Sequence, residues 1–266
     1  MPSIASRALD FIPNNSRIGL GSGRAACAFI QALGERVRSG SPHVYGVGTS
    51  AETERFAMEQ DIPLLTFDQA HELDVTVDGA DELDPHLNLI KSHGRALVRE
   101  KVVAAASRQL IILVGEEKLV PKLGSRGKLP VEVIPFALPP FALPLCERRL
   151  HKMGLKPTLY RQSGLPFLTD NGNYILDCAI EPFGDPPALE AEIRAIPGVV
   201  GTGLFLGMAV IVLVGKGSDS ELVAETRREH GLSKSRPGSS HAGGRQSASV
   251  PSTTVTPDQL ACVGSV

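Results

Sequence analysis

Residues 73–101 read LDVTVDGADELDPHLNLIKSHGRALVREK, and the reading of this stretch decides the fold. Asp74-Val75-Thr76-Val77 mixes polar–apolar alternation with β-branched residues, the pattern of a buried strand, and it ends at Asp78-Gly79. Asp78 and Asp81 then stand three residues apart, across Gly79-Ala80, at the carboxyl end of that strand. In open α/β sheets that edge is where ligands bind. Lys91 opens a second loop, Lys91-Ser92-His93-Gly94, and residues 96–106 have the composition of a helix with Glu100 in its second turn. Carboxylates and an ammonium group thus meet on neighbouring loops, without a His/Cys set for a metal. Such an inventory suits proton transfer on a polyhydroxylated, anionic substrate.

Working outward, Ile18-Gly19-Leu20 runs into Gly21-Ser22-Gly23, after which Ala26, Ile30, Leu33 and Val37 recur on one helical face. Residues 44–47 read as a strand, a helix follows from Thr49-Ser50 through Ala57, residues 62–66 read as a short strand, and 110–114 as a buried one. This alternation argues for βαβ units, hence an α/β fold with a Rossmann-like, mostly parallel sheet flanked by helices. The Pro-rich segment 129–144, LPVEVIPFALPPFALP, breaks the rhythm. Beyond it, 145–153 reads as a helix and 158–161, 167–169 and 174–179 as strands. Asp170-Asn171-Gly172-Asn173 reads as a hairpin turn between the last two, and 188–196 as a helix closed by Pro197-Gly198. That order implies a smaller α+β, ferredoxin-like second domain. The apolar run 208–214 would return to the first sheet, making the second domain an insertion. The expected division is 1–130 with 205–220 for the α/β catalytic domain, and 131–204 for the small domain. From Gly231, 19 of the last 36 residues are Ser, Thr, Gly or Pro. So little apolar surface does not offset ordering entropy, so 231–266 is expected to be a disordered tail. A non-functional extension and a regulatory role both fit it.

The 266 residues suffice for one large or two modest domains with a real core. Basic and acidic residues nearly balance, 27 against 29, so no global field points to nucleic acid. Cys27, Cys146, Cys178 and Cys262 are widely spaced and form no CxxC pair, which favours reduced thiols over a zinc site. The first residues, MPSIASRALDFIPNNSR, hold neither a signal-peptide core nor a membrane span; Ala8, Leu9 and Ile12 form one face of a short helix. A soluble, cytoplasmic protein with no membrane or nucleic-acid partner is the expectation.

Each motif also has a plainer reading. The turn 19–25, GLGSGRA, brings backbone amides and a helix N-terminus toward an anion, yet it serves equally as an ordinary βα connection. It is not a dinucleotide fingerprint, because Arg24 stands where the third glycine of that pattern would fall. Arg24 itself suits a phosphate. Asp78, Asp81, Glu82 and Asp84 fit either a solvated acidic turn or a sugar-hydroxyl site, and they lack the calcium-loop spacing. Glu100 alone reads as an exposed residue in the charged triplet Arg99-Glu100-Lys101; the proximity of Lys91 and Asp81 raises its standing. His86 and His93 read as loop residues, Cys27 as helix core, and Lys128 as a cation before a strand.

Taken together, these residues resemble the ribose-5-phosphate isomerase A family from about residue 4 to 217. VDGADELDPHLNLIK and GRALVREKVVAAAS carry the resemblance most specifically. GLGSG, GTSAET (48–53), LPVEVIPFA (129–137), TDNGNYILD (169–177) and IPGVVGTGLF (196–205) support it. It implies a substrate site built from Ser22, Gly23, Arg24 and Ala25, from Asp78, Gly79, Ala80 and Asp81, from Lys91, Ser92, His93 and Gly94, and from Lys128, with Arg126 a competitor for that last place. It also implies Glu100 as the proton-transfer base, Lys91 as the stabiliser of negative charge, Asp81 as an aid to ring opening and Asp78 as a sugar-orienting group. No metal or other cofactor is implied, and the assembly would be a homodimer or homotetramer. The reaction would interconvert D-ribose 5-phosphate and D-ribulose 5-phosphate through an enediolate, in the non-oxidative pentose phosphate pathway. This sequence departs from the family pattern at two loops. The first reads Ser22-Gly23-Arg24-Ala25, without the family's threonines. The second carries Ser92, His93 and Arg95 where small residues are the rule, side chains that would either narrow the pocket or add hydrogen bonds. Isomerisation of another phosphorylated aldose, and an inactive sugar-phosphate sensor, therefore stand as alternatives; the presence of Glu100 and Lys91 speaks against the sensor.

Overall fold

The computed structural model describes residues 3–137, 143–216 and 221–227. The tail expected over 231–266 lies outside the described residues. The chain opens with α1 (Ile4–Ala8), followed by β1 (Ser16–Leu20), α2 (Arg24–Arg38), β2 (Val44–Gly48), α3 (Ala51–Glu59) and β3 (Leu73–Gly79). The short strands β4 (Glu82–Leu83) and β5 (Leu89–Ile90) precede α4 (Leu97–Ala105) and β6 (Ser107–Gly115). Next come β7 (Lys128–Val133), α5 (Leu143–Lys152), β8 (Lys156–Leu159), β9 (Arg161–Gln162), β10 (Leu165–Pro166), β11 (Tyr174–Ala179), α6 (Pro186–Arg194) and β12 (Val199–Thr202). The chain returns through β13 (Leu204–Phe205), β14 (Ile211–Lys216) and β15 (Glu221–Arg227).

The main sheet has the order β15-β14-β6-β3-β1-β2. Its neighbours pair in parallel except β15, which runs antiparallel to β14. Both faces are covered, which is why β6 reads as an unbroken apolar run. Ile111 and Leu113 join Ile18, Leu20, Phe29 and Leu33 on the side of α2. Leu110, Ile112 and Val114 join Ala104, Phe205 and Val212 on the other. In α2, Ala26, Phe29, Ile30 and Leu33 are buried, the spacing of a single apolar stripe. The second sheet, β12-β7-β11-β8, is antiparallel and is wound in the order βαββαβ, the ferredoxin-like pattern. Leu129, Val131, Val133, Leu150, Leu176 and Ile193 form its core.

Several expected boundaries move. Residues 62–66 do not form a strand: only Leu64 bridges to Gly46, through Gly46 N–H to the Pro63 carbonyl and Leu65 N–H to the Gly46 carbonyl. Pro63 has no N–H with which to continue a ladder. Residues 167–169 are also outside any strand. Leu165–Pro166 instead pairs back onto Arg161–Gln162. The reason is Ser163-Gly164, both at positive φ (52° and 82°), which makes a tight hairpin of its own. The turn at 170–173 is present, closed by Gly172 N–H to the Thr169 carbonyl (2.8 Å) and Thr169 N–H to the Asn173 carbonyl (2.9 Å). The helix expected over 188–196 starts at Pro186, because Asp185 caps it by accepting from Ala188 N–H. Glu100 falls in the first turn of α4, not the second. The edge strand β15 had no counterpart in the sequence reading.

Candidate active site

The site forms where β1, β3 and β6 end together at the carboxyl edge of the parallel sheet. Gly21 follows β1, and a Cβ there would come within 2.3 Å of the Asp78 carboxyl group. Glycine is therefore required for Asp78 to lie beneath the first loop. Buried Asp78 accepts from Ser22 N–H (3.2 Å) and Gly79 N–H (2.7 Å) through Oδ1, and pairs with Lys91 Nζ (2.9 Å) through Oδ2. Lys91 Nζ also donates to the Gly79 carbonyl (2.7 Å) and stands 3.6 Å from Glu100 Oε2. Its backbone is held by its own N–H donating to the Gly203 carbonyl (2.9 Å). A side chain at position 203 would press to 2.6 Å on the Lys91 carbonyl oxygen, so this approach also needs glycine. Beneath both lies Phe205, fully buried, its ring centroid 5.3 Å from Lys91 Nζ and 5.0 Å from Lys101 Nζ.

Glu100 is almost completely buried, and burial raises its pKa to about 7. Lys91 and the Ser92 hydroxyl oppose that rise, whereas the negative charges of Asp78 and Asp81 add to it. Burial works against the charge on Lys91 as well, but Asp78, Glu100 and Asp81 outweigh it and hold the lysine above its ordinary value. Near neutral pH the pair is a permanent cation beside a carboxyl group poised between its two states. That is the condition in which one group both takes and returns a proton.

A cavity of about 660 Å³ opens over this pair. Of the residues expected at the site, Ser22, Gly23, Arg24, Ala25, Gly79, Ala80, Asp81, Lys91, Ser92, Gly94 and Glu100 line it. Asp78, His93 and Lys128 do not. Asp78 lies below the floor and carries the loop and Lys91, so its structural partners use the oxygens that were expected to orient a sugar. His93 leans on Asp81, donating its N–H to Oδ2 (2.9 Å) with Nδ1 3.5 Å from Oδ1. Burial holds its imidazole below the usual histidine range, against the pull of Asp81. Lys128, at the start of β7, stands 3.6 Å from Asp177 Oδ2. Arg126 donates to the Glu117 carbonyl from outside the cavity.

Lys118 is the cation that the sequence reading missed. It lines the cavity, with Nζ 4.0 Å from Asp81 Oδ1. The signal was its place three residues after β6, at the same sheet edge as the acidic turn.

The four acids of the turn divide by role. Asp81 alone faces the cavity. Glu82 is buried and accepts from Gly124 N–H (2.7 Å) and Arg126 N–H (2.8 Å), pinning the loop before β7. Asp84 closes its own turn by accepting from His86 N–H (2.9 Å) and Asn88 N–H (2.8 Å).

The unusual side chains of the second loop do not crowd the pocket as a group. Arg95 turns away and forms a two-pronged pair with Asp177 (2.6 and 2.9 Å), its guanidinium 3.7 Å from the Tyr160 ring centroid. Ser92 points at Glu100 and donates to Oε2. In the first loop, the Ser22 hydroxyl lies within hydrogen-bond distance of Thr49 (2.8 Å), Thr53 (3.1 Å) and Ser50 (3.2 Å). The expectation that Cys27 is helix core is met only in part, since it is half-buried in α2. Among the described residues, no group of three or more His, Cys, Asp or Glu could hold a metal ion. No helix among them is long and apolar enough to cross a membrane.

Residues 45–219 match the family model for ribose 5-phosphate isomerase A (phosphoriboisomerase A). A ribose-5-phosphate isomerase A from Roseiflexus castenholzii is 47% identical over 212 residues, 79% of this chain and 88% of that protein. One from Parvibaculum lavamentivorans is 46% identical over 222 residues, 81% of this chain and 94% of its own. Among solved structures, a D-ribose-5-phosphate isomerase in complex with phospho-erythronic acid superposes with TM-score 0.78 at 39% identity, covering 84% of this chain and 96% of that one. The Methanocaldococcus jannaschii ribose 5-phosphate isomerase A gives TM-score 0.77 at 36% identity, covering 85% and 97%. With a matched model over most of its length and such relatives, the chain belongs to the ribose 5-phosphate isomerase A family.

Proposed function

We propose that this protein is the isomerase its family implies, interconverting D-ribose 5-phosphate and D-ribulose 5-phosphate, with Glu100 as the single base. The observation that carries this reading is the buried Lys91–Glu100 pair, whose carboxyl group has a pKa of about 7. With the sugar in its open form, Glu100 removes the proton from C2 and the carbonyl oxygen at C1 takes up negative charge. Lys91 stabilises that oxygen in the enediolate, a contribution that is often larger than base catalysis itself. Glu100 then returns the proton to C1 while the proton of the C2 hydroxyl passes to O1, so that the ketose carbonyl forms at C2 and a hydroxyl is left at C1. Asp81, beside His93 and Lys118, lies where it would move a hydroxyl proton during ring opening. The phosphate is assigned to the amide-rich Ser22-Gly23-Arg24-Ala25 turn at the start of α2, with Arg24 and Lys118 as its cations. Anchoring the phosphate fixes the reacting carbons against Glu100.

The same reading places the enzyme in the cytoplasm, in the non-oxidative pentose phosphate pathway, acting as a homodimer or homotetramer. Exposed Phe136, Leu165 and Leu168 in the second unit support self-association. The expected division into 1–130 with 205–220, and 131–204, fits the two sheets, although β7 already begins at Lys128 and β14 is followed by β15. Conversion of ribose 5-phosphate by the purified protein in a chelator-containing buffer tests the reaction. Robust turnover is expected, and its loss to about 10²–10⁴-fold lower rates in Glu100→Gln. A folded wild type without turnover would favour the sensor reading, and turnover only of another phosphorylated aldose would favour that alternative.

A further inference from the structure

We propose that Ser92 is a positioning residue that holds Glu100 in its ionised, proton-accepting state. The proposal rests on the reading of Glu100 as the base. Ser92 is buried, and its hydroxyl donates to Glu100 Oε2. Lys91, the nearby cation, is turned elsewhere: its Nζ is 2.9 Å from Asp78 and 2.7 Å from the Gly79 carbonyl, against 3.6 Å from Glu100. Hydrogen bonding of the carboxylate therefore falls to the serine.

The backbone makes the contact deliberate. Ser92 sits at φ 72°, a region that side chains other than glycine rarely enter. Such a conformation persists only where its surroundings over-determine it. Here they do: Arg95 N–H donates to the Ser92 carbonyl (3.0 Å), and Arg95 is clamped by Asp177 and stacked on Tyr160. The left-handed turn directs the serine hydroxyl at the first turn of α4.

The groups acting on Glu100 come from every neighbouring segment: Asp78 from the end of β3, Asp81 from the acidic turn, Lys91 after β5 and Ser92 from the loop. Ser92 is the one uncharged member. Its removal therefore leaves the net charge of the site intact and isolates the hydrogen bond. A hydroxyl that donates to a carboxylate favours the charged form, so its loss raises the pKa of Glu100.

The test is the pH dependence of kcat for wild type, Ser92→Ala and Ser92→Gly, alongside ¹³C NMR titration of the Glu100 carboxyl carbon, assigned with Glu100→Gln. Both serine variants are expected to move the acid limb and the titration upward by about one pH unit, with about tenfold lower rates below the limb. The glycine variant has no backbone strain at φ 72°, so a shift shared by both variants belongs to the hydroxyl. An unmoved limb and titration in both, even with lower kcat or Tm, would reduce Ser92 to a structural residue and overturn the proposal. A wild type that titrates and responds to Ser92→Ala but does not isomerise would overturn the isomerase reading while upholding the Ser92–Glu100 contact.

Discussion

Glu100 exposes a conflict between stability and chemistry. An unfolded glutamate titrates near ~4.3. In the fold its pKa is about 7, so between those values the native state binds more protons than the unfolded chain. The associated stability is present at low pH and is lost as pH rises through that window. Glu100→Gln, which mimics the protonated form, should therefore stabilise the protein by about 1–3 kcal/mol at pH 8 and by almost nothing at pH 4. Thermal melts at the two pH values check this. At the same scale, the lysine at the cavity is not Lys128, the one expected from sequence, but Lys118. Lys118 lines the cavity, whereas Lys128 stands beside Asp177. Lys118→Ala should raise KM for the sugar phosphate about tenfold or more, the loss expected of a charge-assisted contact. Lys128→Ala should leave KM within about twofold, and steady-state kinetics on the two variants separate the readings.

Among the elements, the turn at 169–173 connects the second sheet to the first loop. Buried Glu132 on β7 accepts from Thr169 Oγ1 (3.1 Å), Asn173 Nδ2 (2.8 Å) and Asn171 Nδ2 (3.4 Å) through one oxygen. So ordered, the turn presents Asp170 to Ala51 N–H (2.8 Å) at the start of α3, where a negative charge suits the helix dipole. Ser50 and Thr53 at the same helix start, together with Thr49 just before it, meet the Ser22 hydroxyl. Asp170→Ala should consequently raise KM about two- to fivefold with kcat nearly unchanged, the equivalent of ~0.3–1 kcal/mol. Glu132→Ala, which leaves the buried Thr169 hydroxyl and the half-buried Asn173 amide without their acceptor, should lower stability by about 1–3 kcal/mol in denaturant melts. The elements themselves were largely legible, because β6 and α2 carry strong periodic patterns. Residues 62–66 and 167–169 depart from their strand-like patterns because Pro63 and the Ser163-Gly164 turn redirect backbone hydrogen bonds locally.

Across the whole molecule, the two sheets are joined at the site. Arg95 reaches from the loop after β5 to Asp177 on β11, and Lys101 reaches from α4 to Glu190 on α6 (3.2 Å) and the Thr202 carbonyl (2.9 Å). The second unit thus braces the loop and the helix that carry Lys91, Ser92 and Glu100. Among the described residues, the cavity lining runs from Ser3 to Lys118 and the last strand ends at Arg227. A chain ending at Arg227 should therefore match the full-length protein in kcat/KM; a clear loss on truncation would give the C-terminal segment a functional role.

The alternating α/β architecture, the smaller second sheet and the carboxylates and lysine gathered at one sheet edge are legible in the sequence alone. Those features are written in periodicity and in glycines at close approaches, which are local properties of the chain. Only the tertiary structure decided which charges face the cavity. Asp78, Asp81, Glu82 and Asp84 are near-identical as letters, yet burial and partners assign one to the cavity and three to holding loops and turns. The same holds for Lys118 against Lys128, and for Ser92, whose hydroxyl meets Glu100 only because the backbone takes a left-handed turn. Side-chain direction and desolvation arise from packing between segments distant in sequence, so no local pattern encodes them.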